Sequence, residues 1–192
     1  MRLVLATRNE HKLRELGRVL HGVVLEPLPP GLELPPERGE TFAENALGKA
    51  RAAASALGRA AIADDSGIEA AALGGAPGIF SARFAGPGAT DALNLAKLRA
   101  RAPAGSGLRY VCVIAHVEPG GEERTFEGVC TGTLAAVARG AGGFGYDPVF
   151  LPDDPGDGRT MAELSEQEKD AVSHRGRAAR ALLAWLGPEG QG

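Results

Sequence analysis

An α/β domain with a mixed sheet is the fold class the sequence predicts. Three observations carry it: strand-then-helix units open the chain, two long strands joined by a tight turn occupy its middle, and the end is helical. With 192 residues, roughly 70% of the unfolded chain's surface can be buried on folding, so a hydrophobic core suffices without disulfide or metal staples. No internal repeat and no long linker divides the chain.

The apolar run Arg2 to Ala6 is the first strand, and Leu13, Leu16 and Leu20 recur at helical spacing within Glu10 to His21. Asn9 is placed to cap that helix. A short strand is predicted near Val23 to Leu25, after which Pro27, Pro29, Pro30, Pro35 and Pro36 forbid regular structure to about residue 38. Thr41-Phe-Ala-Glu44 is a capping box that opens an alanine-rich helix to about Leu57. Ala60 to Ala63 reads as a short buried strand ending in the turn Asp64-Asp65-Ser66-Gly67, with Ile68 to Leu73 extended beyond it.

The glycine-rich stretch Gly74 to Gly88 is predicted as loop. Thr90 caps a helix to Ala102 that carries Leu93, Ala96 and Leu98 toward the core. Strands follow over Leu108 to Val117 and Arg124 to about Val137, turned by Glu118-Pro-Gly-Gly-Glu122, and the first is apolar enough to be covered on both faces. Gly140 to Asp147 is a second glycine-rich loop, and Pro148 to Leu151 a short strand. Ser165-Glu-Gln-Glu168 is another capping box, Ser173 caps the last helix, and Ala178, Leu182, Trp185 and Leu186 form its core stripe.

The chain carries 21 Lys and Arg against 24 Asp and Glu, a net charge of −3, with 44% apolar residues. That balance speaks against disorder and against a broad basic surface for nucleic acid or membrane, while leaving room for a local anion pocket. No segment nears the roughly 18 apolar residues of a membrane span, and the first residues are too short for a signal core, so the expected compartment is the cytoplasm. Cys112 and Cys130 lack a Cys-x-x-Cys partner, and His11, His21, His116 and His174 have no zinc-like spacing. Buried free thiols are expected. The 28 glycines and 13 prolines, about a fifth of the chain, imply many tight loops.

Five groups of residues could carry chemistry. Thr7 to Lys12 lies where a strand feeds a helix, so amides, the helix dipole and Lys12 can converge on an anion, although the segment lacks the Walker pattern and also suits a plain capped helix. Asn45 and Lys49 share a face of the alanine-rich helix. Asp64 and Asp65 repel one another and invite a cation, and an oxygen-only donor set favours Mg²⁺; a strand-end pair held by arginine is the competing reading. Phe144 and Tyr146 stand among glycines, suited to stacking on a purine or to plugging a core, and Lys169, His174 and Arg175 cluster near the end.

Taken in order, Thr7-Arg-Asn-x-x-Lys12, Gly39-Glu-Thr-Phe-x-Glu-Asn-Ala46 with Lys49, Ala63-Asp-Asp-Ser-Gly67, Gly74-Gly-Ala-Pro-Gly78 with Ser81-Ala-Arg83, Gly143-Phe-Gly-Tyr-Asp-Pro148 and Ser173-His-Arg175 span nearly the whole chain. This series resembles the inosine triphosphate pyrophosphatase family, the XTP/dITP diphosphatases. Arg8 departs from the pattern, since many members carry glycine there.

The resemblance implies a single catalytic domain over residues 1–192, with an elongated mixed sheet, two lobes and an active-site cleft between them, in a homodimer. It implies hydrolysis of ITP, dITP, XTP and dXTP between the α and β phosphates, with Mg²⁺ as cofactor and neither nucleic acid nor membrane as partner. By the same resemblance Asp65 is the catalytic carboxylate and a metal ligand, with Glu37 a second candidate ligand. Thr7, Arg8, Asn9, Glu10, His11, Lys12, Lys49, Ser66, Phe144, Gly145, Tyr146, Asp147, Lys169, His174 and Arg175 would then meet the substrate. Asp64 would tune Asp65 by repulsion. A Maf-type nucleotide pyrophosphatase and a non-catalytic nucleotide-binding module remain as competing readings.

Overall fold

The computed structural model describes residues 1–187. Its strands are β1 (Arg2–Leu5), β2 (Val24–Pro27), β3 (Ala61–Ala70), β4 (Gly107–Val117), β5 (Glu123–Leu134) and β6 (Phe150–Pro152). The helices are α1 (Glu10–Val19), α2 (Phe42–Leu57), α3 (Asp91–Arg101), α4 (Glu166–Val172) and α5 (His174–Leu186). The sheet runs β2-β1-β3-β4-β5-β6. It is mixed, because β1 pairs in parallel with both β2 and β3 while β5 and β6 pair antiparallel. The predicted class therefore stands.

Local signals placed the helix starts well. Asn9 Oδ1 accepts from the amides of His11 and Lys12, and the Thr41/Glu44 and Ser165/Glu168 capping boxes both form. A third box, Thr160/Glu163, opens a single 3-10 turn at Met161–Glu163 that the sequence reading passed over.

Two compact units divide the chain. The first comprises Met1–Asp65, Cys112–Gly128 and the chain from Arg175 onward; the second comprises Ser66–Val111 and Val129–His174. Within the first, Leu3, Leu5, Leu16, Ile62, Ile114 and Leu182 are among the side chains of one core. Within the second, Ile68, Leu98, Tyr110, Phe150 and Met161 belong to another. Every residue from Tyr110 to Val117 in β4 is buried, as the continuous apolar pattern predicts.

Several expectations need correction. Asp64-Asp65-Ser66-Gly67 is not a turn: β3 runs unbroken through it, because both carboxylates find partners where they stand. In α3 the inward positions are Asn94 and Leu98, whereas Leu93 is exposed; Asn94 turns inward to accept from the Ala85 amide and donate to the Ala82 carbonyl. The loop Gly74 to Gly88 contains a 3-10 helix, Gly78–Arg83. Pro148 sits inside a 3-10 turn at Asp147–Val149, so β6 begins only at Phe150. On α5 the buried stripe is Ala178, Ala179, Leu182 and Leu183, and Trp185 and Leu186 pack at its margin.

Candidate active site

Adjacent residues of a strand point to opposite faces, so β3 sends Asp64 and Asp65 in different directions. Asp64 is 1% exposed. Its Oδ2 lies 2.9 Å from Lys12 Nζ and accepts from Arg175 Nη2 at 3.2 Å and Nε at 3.3 Å. Arg175, equally buried, also donates from Nη1 to Glu15 Oε2 at 2.6 Å. Burial pushes the Asp64 carboxyl up, but Lys12, Arg175 and Lys49 outweigh it and hold the group far below the usual carboxylate range. Asp64 is thus ionised at neutral pH. Beside it the Cys112 thiol is pushed up to about 12 by burial and by the Asp64 charge, so it is inert.

Asp65 has a different environment. Its Oδ2 accepts from Asn45 Nδ2 at 2.9 Å, and its Oδ1 stands 3.9 Å from Lys49 Nζ. That ammonium donates to Glu37 Oε1 at 2.6 Å and to the Asp64 carbonyl at 2.8 Å. Asn45 and Lys49, four apart on α2, do share one face, and both are buried. Burial raises the Asp65 carboxyl above its ordinary value; Lys49 opposes this and Glu37 adds to it. Glu37 adds repulsion on Asp65, while Asp64 is itself paired with Lys12 and Arg175. Lys49 is held charged, because Asp64, Asp65 and Glu37 outweigh the cost of its burial.

The first loop departs from the simple cradle. Thr7 Oγ1 accepts from the Asn9 amide at 3.2 Å, and Asn9 Oδ1 takes the His11 and Lys12 amides at 2.9 and 3.3 Å. The helix-start amides are thus engaged by the cap. Lys12 turns to Asp64, while Glu10 and His11 are exposed and meet Arg14. Arg8 reaches from this loop to the carbonyls of Pro29 and Leu32 at 3.0 and 2.8 Å, bracing the proline-rich segment.

Within the second unit the predicted residues form a group of their own. Asp147 is buried and accepts from Lys169 Nζ at 2.6 Å, Tyr110 Oη at 3.1 Å and the Phe144 amide at 2.8 Å. Lys169 also lies over the Phe144 ring, 5.1 Å from its centre. Gly143 is obligatory here, since a Cβ on it would stand 2.0 Å from Asp147 Oδ2 at a positive φ. The Gly145 amide donates to Asp91, and Tyr146 Oη donates to the Ser81 carbonyl at 2.8 Å. His174 stacks on Tyr110 with ring centres 4.4 Å apart and planes within 4°. Ser66 is half-buried at the first position of this unit.

Sequence reasoning missed Glu15 and Tyr110. A buried tyrosine seeks a partner for its hydroxyl, which was the signal available for Tyr110. Nothing local marked Glu15, whose partner lies 160 residues away in the chain. Among the described residues, no three His, Cys, Asp or Glu side chains gather as a metal cage. Mg²⁺ needs no such cage: one or two carboxylates plus substrate phosphates suffice, and the oxygen-only pair Asp65 and Glu37 fits that demand.

The sequence profile of the Ham1 family matches residues 3–185. The chain belongs to the Ham1 family. It is 49% identical to a dITP/XTP pyrophosphatase of Frankia alni, covering 97% of each chain. A HAM1 protein from Coxiella burnetii superposes with a TM-score of 0.86 at 41% identity, over 97% of this chain and 98% of that one. A nucleoside-triphosphatase, or dITP/XTP pyrophosphatase, from Mycobacterium abscessus gives a TM-score of 0.72 at 46% identity, over 97% and 100% of the two chains.

Proposed function

We propose that this protein hydrolyses the non-standard purine nucleotides ITP, dITP, XTP and dXTP to the monophosphate and pyrophosphate, and so keeps them out of DNA and RNA. Its membership of the Ham1 family and the dITP/XTP pyrophosphatases among its relatives support the reaction. The observation that carries the assignment of roles is the asymmetry of two neighbouring aspartates. Asp64 is locked ionised against Lys12 and Arg175, whereas Asp65 is buried, only partly compensated and raised above its ordinary value. Asp64 Oδ2 is occupied by two cations, whereas Asp65 Oδ1 stands 3.9 Å from Lys49, so Asp65 is the one assigned to accept a proton.

In this reading Asp65 Oδ1 takes the proton from the attacking water. Asp65 and Glu37 would hold Mg²⁺, which supplies neutralising charge at the phosphate oxygens when bound. Lys49, ion-paired to Glu37 and next to Asp65, stabilises the charge that develops on the leaving pyrophosphate, and Lys12 holds the phosphates from the start of α1. We assign Arg175 to orienting Asp64, because its guanidinium is buried against Asp64 and Glu15.

Base selection falls to the second unit. Phe144 supplies a stacking ring, Asp147 and Lys169 hold its loop, and His174 meets the base edge. Inosine and xanthine present O6 as acceptor and N1–H as donor, adenine presents the reverse, and a fixed donor–acceptor set separates them. Family membership also supports a homodimer acting in the cytoplasm on free nucleotides, as one catalytic domain, with neither nucleic acid nor membrane as partner. No described helix is long and apolar enough to cross a bilayer.

The test is pyrophosphate release from ITP, XTP, dITP, ATP, GTP, dTTP and UTP, with and without Mg²⁺. Rapid, Mg²⁺-dependent release from the first three is the expected result. Equal rates for ITP, ATP and GTP refute the selectivity, preference for dTTP or UTP transfers the chain to the Maf-type reading, and no release at all favours a binding module.

A further inference from the structure

Asn45 is an anomaly in an alanine-rich helix. Asparagine is a mediocre helix former, yet this one is buried, 4% exposed, in the first turns of α2. Both ends of its amide are engaged. Oδ1 accepts from the Gly39 amide at 2.8 Å, and Nδ2 donates to Asp65 Oδ2 at 2.9 Å. A backbone N–H can only donate, so the amide orientation is fixed: oxygen toward Gly39 and nitrogen toward Asp65.

Gly39 completes the arrangement. A Cβ there would stand 2.7 Å from Glu44 Cβ and 2.8 Å from Asn45 Oδ1, so only glycine brings its amide this close. Glu44 is itself tied down, its carboxylate accepting from the Glu40 and Thr41 amides. A continuous chain of bonds thus runs from the backbone beside Glu37, through Asn45, to one oxygen of Asp65.

With Oδ2 so occupied, Oδ1 is the oxygen that faces Lys49 and, across its ammonium, Glu37. We propose that Asn45 is a positioning residue that fixes which oxygen of Asp65 faces the reacting phosphate, and that Gly39 sets Asn45. The inference rests on the assignment of Asp65 above. Removing Asn45 deletes the bond that holds Oδ2, and a misplacement of about 1 Å costs up to about 100-fold in rate.

The experiment compares Asn45→Ala, Gly39→Ala, the double variant and Asp65→Asn. Steady-state kinetics with ITP and Mg²⁺, thermal unfolding of each protein and a crystal structure of Asn45→Ala are the readouts. Asn45→Ala and Gly39→Ala should each lower kcat about 10- to 100-fold with KM within about threefold. The double variant should lose no more than the worse single variant, since both act on one chain of bonds. The crystal structure should show the Asp65 carboxylate rotated away from its parent orientation.

Wild-type kcat in folded Asn45→Ala, an unrotated Asp65, or losses that multiply in the double variant each overturn the inference. If Asn45→Ala fails to fold, Gly39→Ala decides alone: unchanged kcat overturns the inference. Full activity in Asp65→Asn overturns the assignment beneath it, which is a separate result.

Discussion

Replacing Arg175 by methionine removes the cation shared by two buried carboxylates while keeping an unbranched side chain in the space. Arg175 is 2% exposed, with Glu15 Oε2 at 2.6 Å and Asp64 Oδ2 at 3.2 Å. Lys12 remains beside Asp64 at 2.9 Å, whereas Glu15, itself 7% exposed, loses its 2.6 Å bond. Breaking a buried pair by deleting one partner costs about 3–5 kcal/mol. At roughly 2–4 °C per kcal/mol for a chain of this size, Tm should fall by about 6–20 °C. Calorimetry and urea unfolding at pH 7 measure the loss. Adding Glu15→Met should recover about 2 kcal/mol of it, because the buried carboxylate that lost its bond to the guanidinium is then gone. A loss below about 1 kcal/mol in Arg175→Met, or a double variant that loses the plain sum of the singles, refutes the argument.

Two further outcomes follow from the geometry. Asp64 is held far below 3.8 in the folded state, so the unfolded chain binds the extra proton first as pH falls. The stability Asp64 contributes is complete well above that value and is lost progressively below it; urea midpoints between pH 5 and 3 should therefore fall less steeply in Asp64→Asn than in the parent, and an equal slope contradicts the reading. Tyr110→Phe keeps the ring that His174 stacks on but removes the bond to Asp147. The ratio of kcat/KM for ITP over ATP should drop about fivefold, from a hydrogen bond of about 1 kcal/mol, and an unchanged ratio removes Tyr110 from base selection.

Much of this molecule was legible because its signals are local. The Thr41/Glu44 and Ser165/Glu168 boxes and the Asn9 cap lie within a few residues of what they bond, so sequence alone placed three helix starts. Asp64 and Asp65 misled for the opposite reason. Two adjacent acids look like the end of a strand until their cations are known, and those come from α1, α2 and, for Arg175, from 111 residues further along. Arg175 reads in the sequence as a substrate-meeting donor beside His174, and its bonds to Glu15 and Asp64 come from residues too far off in the chain to be foreseen. The glycine-rich stretch hid a 3-10 helix because glycines permit many conformations and specify none.

The bond between Glu15 and Arg175 also bears on the order in which the chain is made. Synthesis delivers Glu15 and Asp64 early, yet their shared cation arrives with α5. During translation the first unit therefore holds buried-to-be carboxylates with Lys12 and Lys49 as cations, and Glu15 and Asp64 gain their shared guanidinium only later. A chain cut short before Arg175 retains Asp65, both lysines and the Lys12–Asp64 pair but lacks the 2.6 Å bond to Glu15. The contact between Glu15 and Arg175 therefore forms only after residue 175 has been made.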